Sequence, residues 1–353
     1  MMHAPVSAPA VTGFRVRRES FRGIDALRFS NDAMQAVFAL RGATLLDWRV
    51  RTDDGELGLT DGYRSAAELD AQNGVRNGIL APFQNRIAHA RYCFDGVMHD
   101  LLPACGVGAR EIYHGFARML DFEPLLMTDG RDGAAAVLAC EGIRPGVFPG
   151  YPFAISLRIR LALSAAGIAL HISATNVGER DAPVTLGWHP YFRLGEGGID
   201  ALELKLPATE RILTDARLIP LPGDAARASL GTRPEADFRA FRVLGGTVLD
   251  CCHGGNVAGA DGLIRSVLRD PRSGHRLSVW QESGLVHVFT GDTLARDARR
   301  AIAIEPVDAP TDAFNREACA ADIRLPPMAS RTFSCGVDFL ASSHRTQNAG
   351  TCS

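Results

Sequence analysis

Phe153-Ala154-Ile155-Ser156-Leu157-Arg158-Ile159-Arg160-Leu161-Ala162-Leu163 alternates apolar and polar or small positions, and Ile168-Ala169-Leu170-His171-Ile172-Ser173-Ala174-Thr175 does so again. Apolar residues at every second position, with Ser156, Arg158 and Arg160 between them, make a strand with one buried face. Ala165-Ala166-Gly167 is a turn signal, so the second run returns antiparallel beside the first.

Outward from this hairpin, the same short-strand signal recurs at Ala26–Phe29, Met34–Leu40, Thr44–Val50, Val184–Trp188, Leu202–Leu206, Leu277–Trp280, Val286–Thr290, Ala301–Glu305 and Phe333–Phe339. Arg51 to Gly74 is rich in Asp and Gly and reads as loop, with a helical turn near Ser65 to Asp70. Helical periodicity is scarce, and 36 glycines and 19 prolines punctuate the chain. Many short strands between turns imply an all-β chain built as an antiparallel sandwich or barrel. With no internal repeat and no linker, the expected organisation is a flexible tail over 1–12, one β domain over 13–341 and a disordered tail over 342–353.

The 353 residues are 46% hydrophobic, enough for a large core. A formal net charge of −2 leaves no electrostatic footprint for nucleic acid or an acidic membrane. No apolar run is long enough for a transmembrane helix. Met1 to Ala10 lacks the basic and apolar regions of a secretory signal, so a cytoplasmic location is expected. The eight cysteines are scattered without CxxC or zinc spacing and are expected as free thiols.

Leu186-Gly187-Trp188-His189-Pro190-Tyr191-Phe192-Arg193-Leu194 sets a titratable imidazole among aromatics and follows it with a proline. Histidine exchanges protons near neutrality, Pro190 restrains the backbone at His189, and the rings suit the lining of a ligand pocket. A strand end with core aromatics and a hydrogen-bonded histidine would read the same.

In Ala301-Ile302-Ala303-Ile304-Glu305-Pro306 the alternation places Ile302 and Ile304 on one face and Ala301, Ala303 and Glu305 on the other. Small residues leave room above the carboxylate, whose desolvation raises its pKa toward a general-base range, while Pro306 stiffens the exit. An edge-strand glutamate facing water is the alternative. Asn85-Arg86-Ile87 offers donors and an acceptor for hydroxyls or carboxylates, or is a surface loop. His114-Gly115 places an imidazole beside a backbone that a ligand can approach. Asp250 closes an apolar run, either to accept hydroxyl hydrogen bonds or to begin a turn through Cys251 to Gly255. Dinucleotide, P-loop, zincin and nucleophile-elbow templates are all missing. The remaining set can move protons on a polyhydroxylated ligand without metal or cofactor.

Together these motifs resemble the aldose 1-epimerase (galactose mutarotase) family. Asn85-Arg86-Ile87 with Phe94-Asp95-Gly96, His114-Gly115, His189-Pro190-Tyr191-Phe192, Asp250, and Glu305-Pro306 with Asp312-Ala313-Phe314-Asn315 are similar to its motifs and follow its order. The resemblance spans about Ala26 to Phe339. It implies a large antiparallel β-sandwich of the galactose-mutarotase type and a cofactor-independent isomerase acting on a small sugar, as monomer or homodimer.

It further implies Glu305 as general base, His189 as general acid, His114 assisting, and Asn85, Arg86 and Asp250 on sugar hydroxyls. His287 stands where the family often has a sugar-contacting Gln, and Arg193 where it commonly has Asn. Arg193 and Arg118 also suggest a hexose-6-phosphate 1-epimerase as an alternative. A carbohydrate-binding or sensor protein on the same fold is another.

Overall fold

The computed structural model describes residues 13–105, 112–232, 234 and 237–342. Of the tails expected over 1–12 and 342–353, residues 1–12 and 343–353 lie outside the described residues. Ser342, expected in the disordered tail, is instead held by its amide, which donates to His275 Nδ1 at 3.1 Å.

The hairpin forms as read. Ile155–Ser164 pairs antiparallel with Gly167–Asn176, from Ile155 opposite Asn176 to Leu163 opposite Ile168. Ile155, Leu157, Ile159, Leu161 and Leu163 are all fully buried, as the alternation requires. These two strands sit in a nine-stranded sheet. On one side lie Gly133–Ile143 and the edge strand Glu123–Thr128; on the other, Ser330–Leu340, Arg276–Gln281, Ile264–Arg269, Glu203–Lys205 and Arg242–Val243.

A second sheet of eight strands runs Arg227–Ser229, Glu210–Ile212, Asp250–Gly254, Leu285–Phe289, Ile302–Val307, Gly187–Trp188, Ile79–Leu80, with Tyr191–Phe192 also paired to Ile302–Val307. A third, five-stranded sheet holds the first strands of the chain, Arg15–Phe21 to Gly55–Gly58, in sequence order. One hydrophobic core joins Leu161 and Val337 of the nine-stranded sheet, Ile304 and Val288 of the eight-stranded sheet, and Phe29 and Trp48 of the third. The fold is an antiparallel β-sandwich. The only α-helix among the described residues is Ala66–Ala71, whose Ser65 hydroxyl caps it by accepting from the Glu68 amide.

Two local expectations need correction. The run Val184–Trp188 is not one strand: Ala182–Pro183 pairs with Arg324–Leu325, and only Gly187–Trp188 joins the eight-stranded sheet. Pro306 does not stiffen the exit of its strand but lies within Ile302–Val307, opposite Val286. A central strand tolerates this proline because the neighbouring edge is broken at His189-Pro190. Ile304 N donates to Pro190 O at 3.3 Å, and the missing amide two residues on faces the same break. No helix among the described residues is long and apolar enough to cross a membrane.

Candidate active site

The eight-stranded sheet gives its two faces different chemistry. Cys251, Val286, Val288, Ile302 and Ile304 enter the main core. The alternate residues Asp250, His287, Ala303 and Glu305 therefore project from the opposite face. Ala301 and Ala303 pack there with Tyr191, Phe289 and Leu294 in a separate small apolar cluster. The carboxyl does not face water: Glu305 is 1% exposed.

Strand register then fixes the cluster. His287 lies directly opposite Glu305, and Cys252 opposite His287, while Tyr191 pairs with Ala303 on the other flank. His189 Nε2 stands 3.3 Å from Glu305 Oε1. His189 Nδ1 and Glu305 Oε2 are buried without a hydrogen-bond partner among the described residues. The His189 ring stacks on Tyr191, with centroids 5.1 Å apart and planes at 22°, and meets His114 edge-on at 4.9 Å. His114, His189 and Glu305 each bring a donor or acceptor atom within 4.8 Å of the others.

His114 is locked in one state. Its amide donates to Asn85 O at 2.9 Å, and the Asn85 amide donates to His114 Nδ1 at 3.1 Å. An Nδ1 that accepts leaves the ring proton on Nε2. Burial, reinforced by His189, holds His114 well below the usual histidine range, so the ring is a neutral Nε2–H donor. Both residues adopt left-handed backbone, with φ of 50° at Asn85 and 59° at His114. Next to them Gly115 (φ +64°) passes so close that a Cβ would lie 2.2 Å from Ala81 O.

Asn85 is buried, not a surface loop residue, and Arg86 sits in a two-residue strand paired with Ile112–Tyr113. Asn85 Oδ1 accepts from the Arg86 amide and from Arg86 Nη1 at 3.1 Å, and the guanidinium lies over the Tyr113 ring. The motif at Asp312 braces this loop from below: Asp312 Oδ1 accepts from the Ala88 amide and from Asn315 Nδ2, and the Asp312 amide donates to Arg86 O.

Asp250 begins the strand Asp250–Gly254, not a turn, and its Oδ1 lies 2.9 Å from His287 Nε2. Burial opposes charge on His287, but the facing Glu305, the Asp250 bond and Cys252 outweigh it and hold the imidazole well above its usual range. The same bond draws Asp250 below the ordinary carboxylate value against the effect of burial. Burial pushes Glu305 up to about 8, and the neighbouring Asp250 adds to this while His287 opposes it. His189 is pushed down to about 3 by burial and then by the charge of His287. Glu305 and His189 thus hold one proton between them across the neutral range, and their titration belongs to the pair.

Not every residue singled out in the sequence reaches this cluster. Arg193 extends to Gly58 and pairs with Glu196 at 3.1 Å. Arg118 is bonded to Gln72 Oε1 and Tyr113 O, close enough for its charge to act on His114 and His189. The Phe94-Asp95-Gly96 stretch is the turn of a hairpin, and Asp95 pairs with Arg324.

Other residues escaped the sequence reading. Arg76 is buried beside Asp61, reaches the Arg296 carbonyl and lies over the Tyr191 ring. Asn77, fully buried, contacts the backbone on both sides of Pro190. Asn77-Gly78 is an ordinary turn signal in sequence, and nothing in it announces burial.

A family model described as aldose 1-epimerase matches residues 25–335. Among curated proteins, YihR of Escherichia coli (strain K12) is 26% identical over 240 residues, 67% of this chain and 71% of YihR. Among solved structures, a galactose mutarotase-like protein from Clostridium acetobutylicum superposes with a TM-score of 0.78 at 14% identity, covering 94% of this chain and 99% of its own. Galactose 1-epimerase from Lactobacillus acidophilus NCFM gives 0.73 at 18% identity, with the same coverage. At such identities these two likenesses speak for the fold alone.

Proposed function

The chain belongs to the aldose 1-epimerase family, and on that footing we propose that it interconverts the α and β anomers of a free aldose by acid–base ring opening. The observation that carries this reading is the buried Glu305–His189 pair at 3.3 Å, each group keeping one atom free of any partner among the described residues.

The pair's one proton rests on Glu305 and reaches His189 across their 3.3 Å contact in the reactive form. The Glu305 carboxylate then takes the proton of the anomeric hydroxyl while the His189 imidazolium protonates the ring oxygen. The C1–O5 bond breaks, the C1 carbonyl forms, and no full charge builds on the sugar. Rotation about C1–C2 and reclosure on the other face, with both protons returned, yields the opposite anomer. A positioned acid or base of this kind is worth about 10²–10⁴-fold.

His114 supplies a neutral N–H toward the reacting oxygens. Asn85, Arg86 and Asp250 take the remaining hydroxyls, with His287 held cationic between Asp250 and Glu305. No step calls for a metal or a cofactor.

Polarimetry on freshly dissolved α-glucose, α-galactose and their 6-phosphates tests the reading. Accelerated approach to anomeric equilibrium on a free aldose, lost in His189→Ala, is expected. Turnover confined to the phosphorylated sugars would move the substrate assignment to a hexose 6-phosphate. Sugar binding without turnover across the panel would replace the enzyme with a carbohydrate-binding protein.

A further inference from the structure

Resting on the epimerase reading of Glu305 and His189, we propose that Asn77 is a positioning residue that sets where the His189 imidazole stands against Glu305. His189 has no side-chain hydrogen bond that aims its ring other than its contact with Glu305, since its Nδ1 is unpartnered. Its placement is therefore decided by its backbone and by the ring stacked on it, and Asn77 holds both.

The Asn77 amide donates to His189 O at 2.9 Å, and the His189 amide donates to Gly78 O at 3.1 Å. Beyond Pro190, which has no amide of its own, the Tyr191 amide donates to Asn77 Oδ1 at 2.6 Å. The Trp188 indole Nε1 donates to Asn77 O at 3.2 Å. One residue thus grips Trp188, His189 and Tyr191, and the grip on Tyr191 also fixes the ring that stacks on His189.

Asn77 is itself anchored. Its Nδ2 donates to Leu45 O at 2.8 Å, and Thr60 Oγ1 stands 3.3 Å from its Oδ1 while donating to Tyr191 O at 2.8 Å. It is fully buried, with φ of 59°, a left-handed conformation that asparagine and glycine accept more readily than other residues. An amide is the side chain this place needs: one acceptor for the Tyr191 amide and one donor for the Leu45 carbonyl. The main chain of residue 77 keeps its bonds to His189 and Trp188 whatever the side chain. Loss of the amide releases Tyr191, and with it the ring stacked on His189, while every catalytic group remains present.

Asn77→Gly is the informative variant, since glycine keeps the backbone conformation and removes only the amide. The measurements are kcat and KM by polarimetry, together with the His189 ring signals of 15N-histidine-labelled protein recorded without sugar. The expected result is a fall in kcat on the order of 10–100-fold, the scale of an ångström-sized misplacement, with KM unchanged and the His189 signal displaced while that of exposed His171 stays.

A folded variant with wild-type kcat and an unmoved His189 signal would overturn the assignment, as would a loss confined to KM. Should Asn77→Gly fail to fold, Thr60→Val removes a second strut of the same clamp while keeping its shape. A smaller loss of kcat then supports the assignment, and wild-type kcat refutes it. If the wild-type protein epimerises no aldose, the epimerase reading fails on that account, and the ring signal still decides whether Asn77 places His189.

Discussion

Replacing Glu305 with Gln exchanges one carboxyl oxygen for an amide nitrogen at a site that is 1% exposed, so shape is kept and proton affinity is lost. In the proposed reaction Glu305 receives the anomeric proton, and its removal should cost about 10²–10⁴-fold in kcat. The fold should not suffer. Burial pushes the Glu305 pKa from 4.5 up to about 8, so at neutral pH the carboxyl is already mostly uncharged and an amide resembles it.

The sign of the stability change with pH follows. A raised folded pKa stabilises below 4.5, and that contribution is lost as pH rises through about 8. The melting temperature of Glu305→Gln should therefore gain on the wild type across that window. Activity gives a second reading: the reactive form carries one proton on the Glu305–His189 pair, so kcat/KM should be level through neutrality and fall as pH rises through about 8, where that proton is lost. Polarimetry on α-anomers across pH, with thermal melts beside it, measures both. Undiminished mutarotation by folded Glu305→Gln would refute Glu305 as base, and a rate that climbs through pH 8 would refute the one-proton pair.

Further outcomes follow from single contacts. Asp250→Asn removes the charge that helps keep His287 cationic and, on the proposed role, a hydroxyl acceptor. Bonds to charged groups are worth about 1.5–3 kcal/mol, so KM should rise about 10–100-fold, and initial rates against sugar concentration with an unchanged KM would remove Asp250 from the binding set. Gly115→Ala puts a Cβ 2.2 Å from Ala81 O at φ +64°. Left-handed backbone alone costs an alanine about 1–2 kcal/mol, so urea melts should show at least that loss, with activity falling as His114 shifts. Leu161→Ala empties a fully buried position at the centre of the hairpin; a loss of about 2–5 kcal/mol is expected in the same melts, and a loss under about 1 kcal/mol would contradict a packed core there.

How much of this was legible in the chain depended on how locally each feature is encoded. Alternation is a local property, and it placed Ile155 to Leu163 and Ile168 to Ala174 in paired strands with the correct face inward. The same period put Ala303 and Glu305 together on one face of their strand, the face turned away from the main core in the structure. Ordered motifs carried the resemblance. Strands with weaker alternation, such as Asp250–Gly254, do not announce themselves, and the sequence leaves Asp250 open as a hydroxyl acceptor or the start of a turn.

What only the tertiary structure decided was which of the marked residues meet, and in what state. Arg193 sits beside the aromatic motif in sequence yet pairs with Glu196, because the strand carries it past the cluster. Glu305 and His287 are far enough apart in sequence that no motif links them, and strand register alone sets them face to face. Burial then drives Glu305 and His189 in opposite directions, a consequence of desolvation that no spacing encodes. Asn77 shows the limit most plainly. In sequence Asn-Gly is a turn, because local preference is all a dipeptide can express. Its hold on Trp188, His189 and Tyr191 exists only once a loop more than a hundred residues away has folded against it.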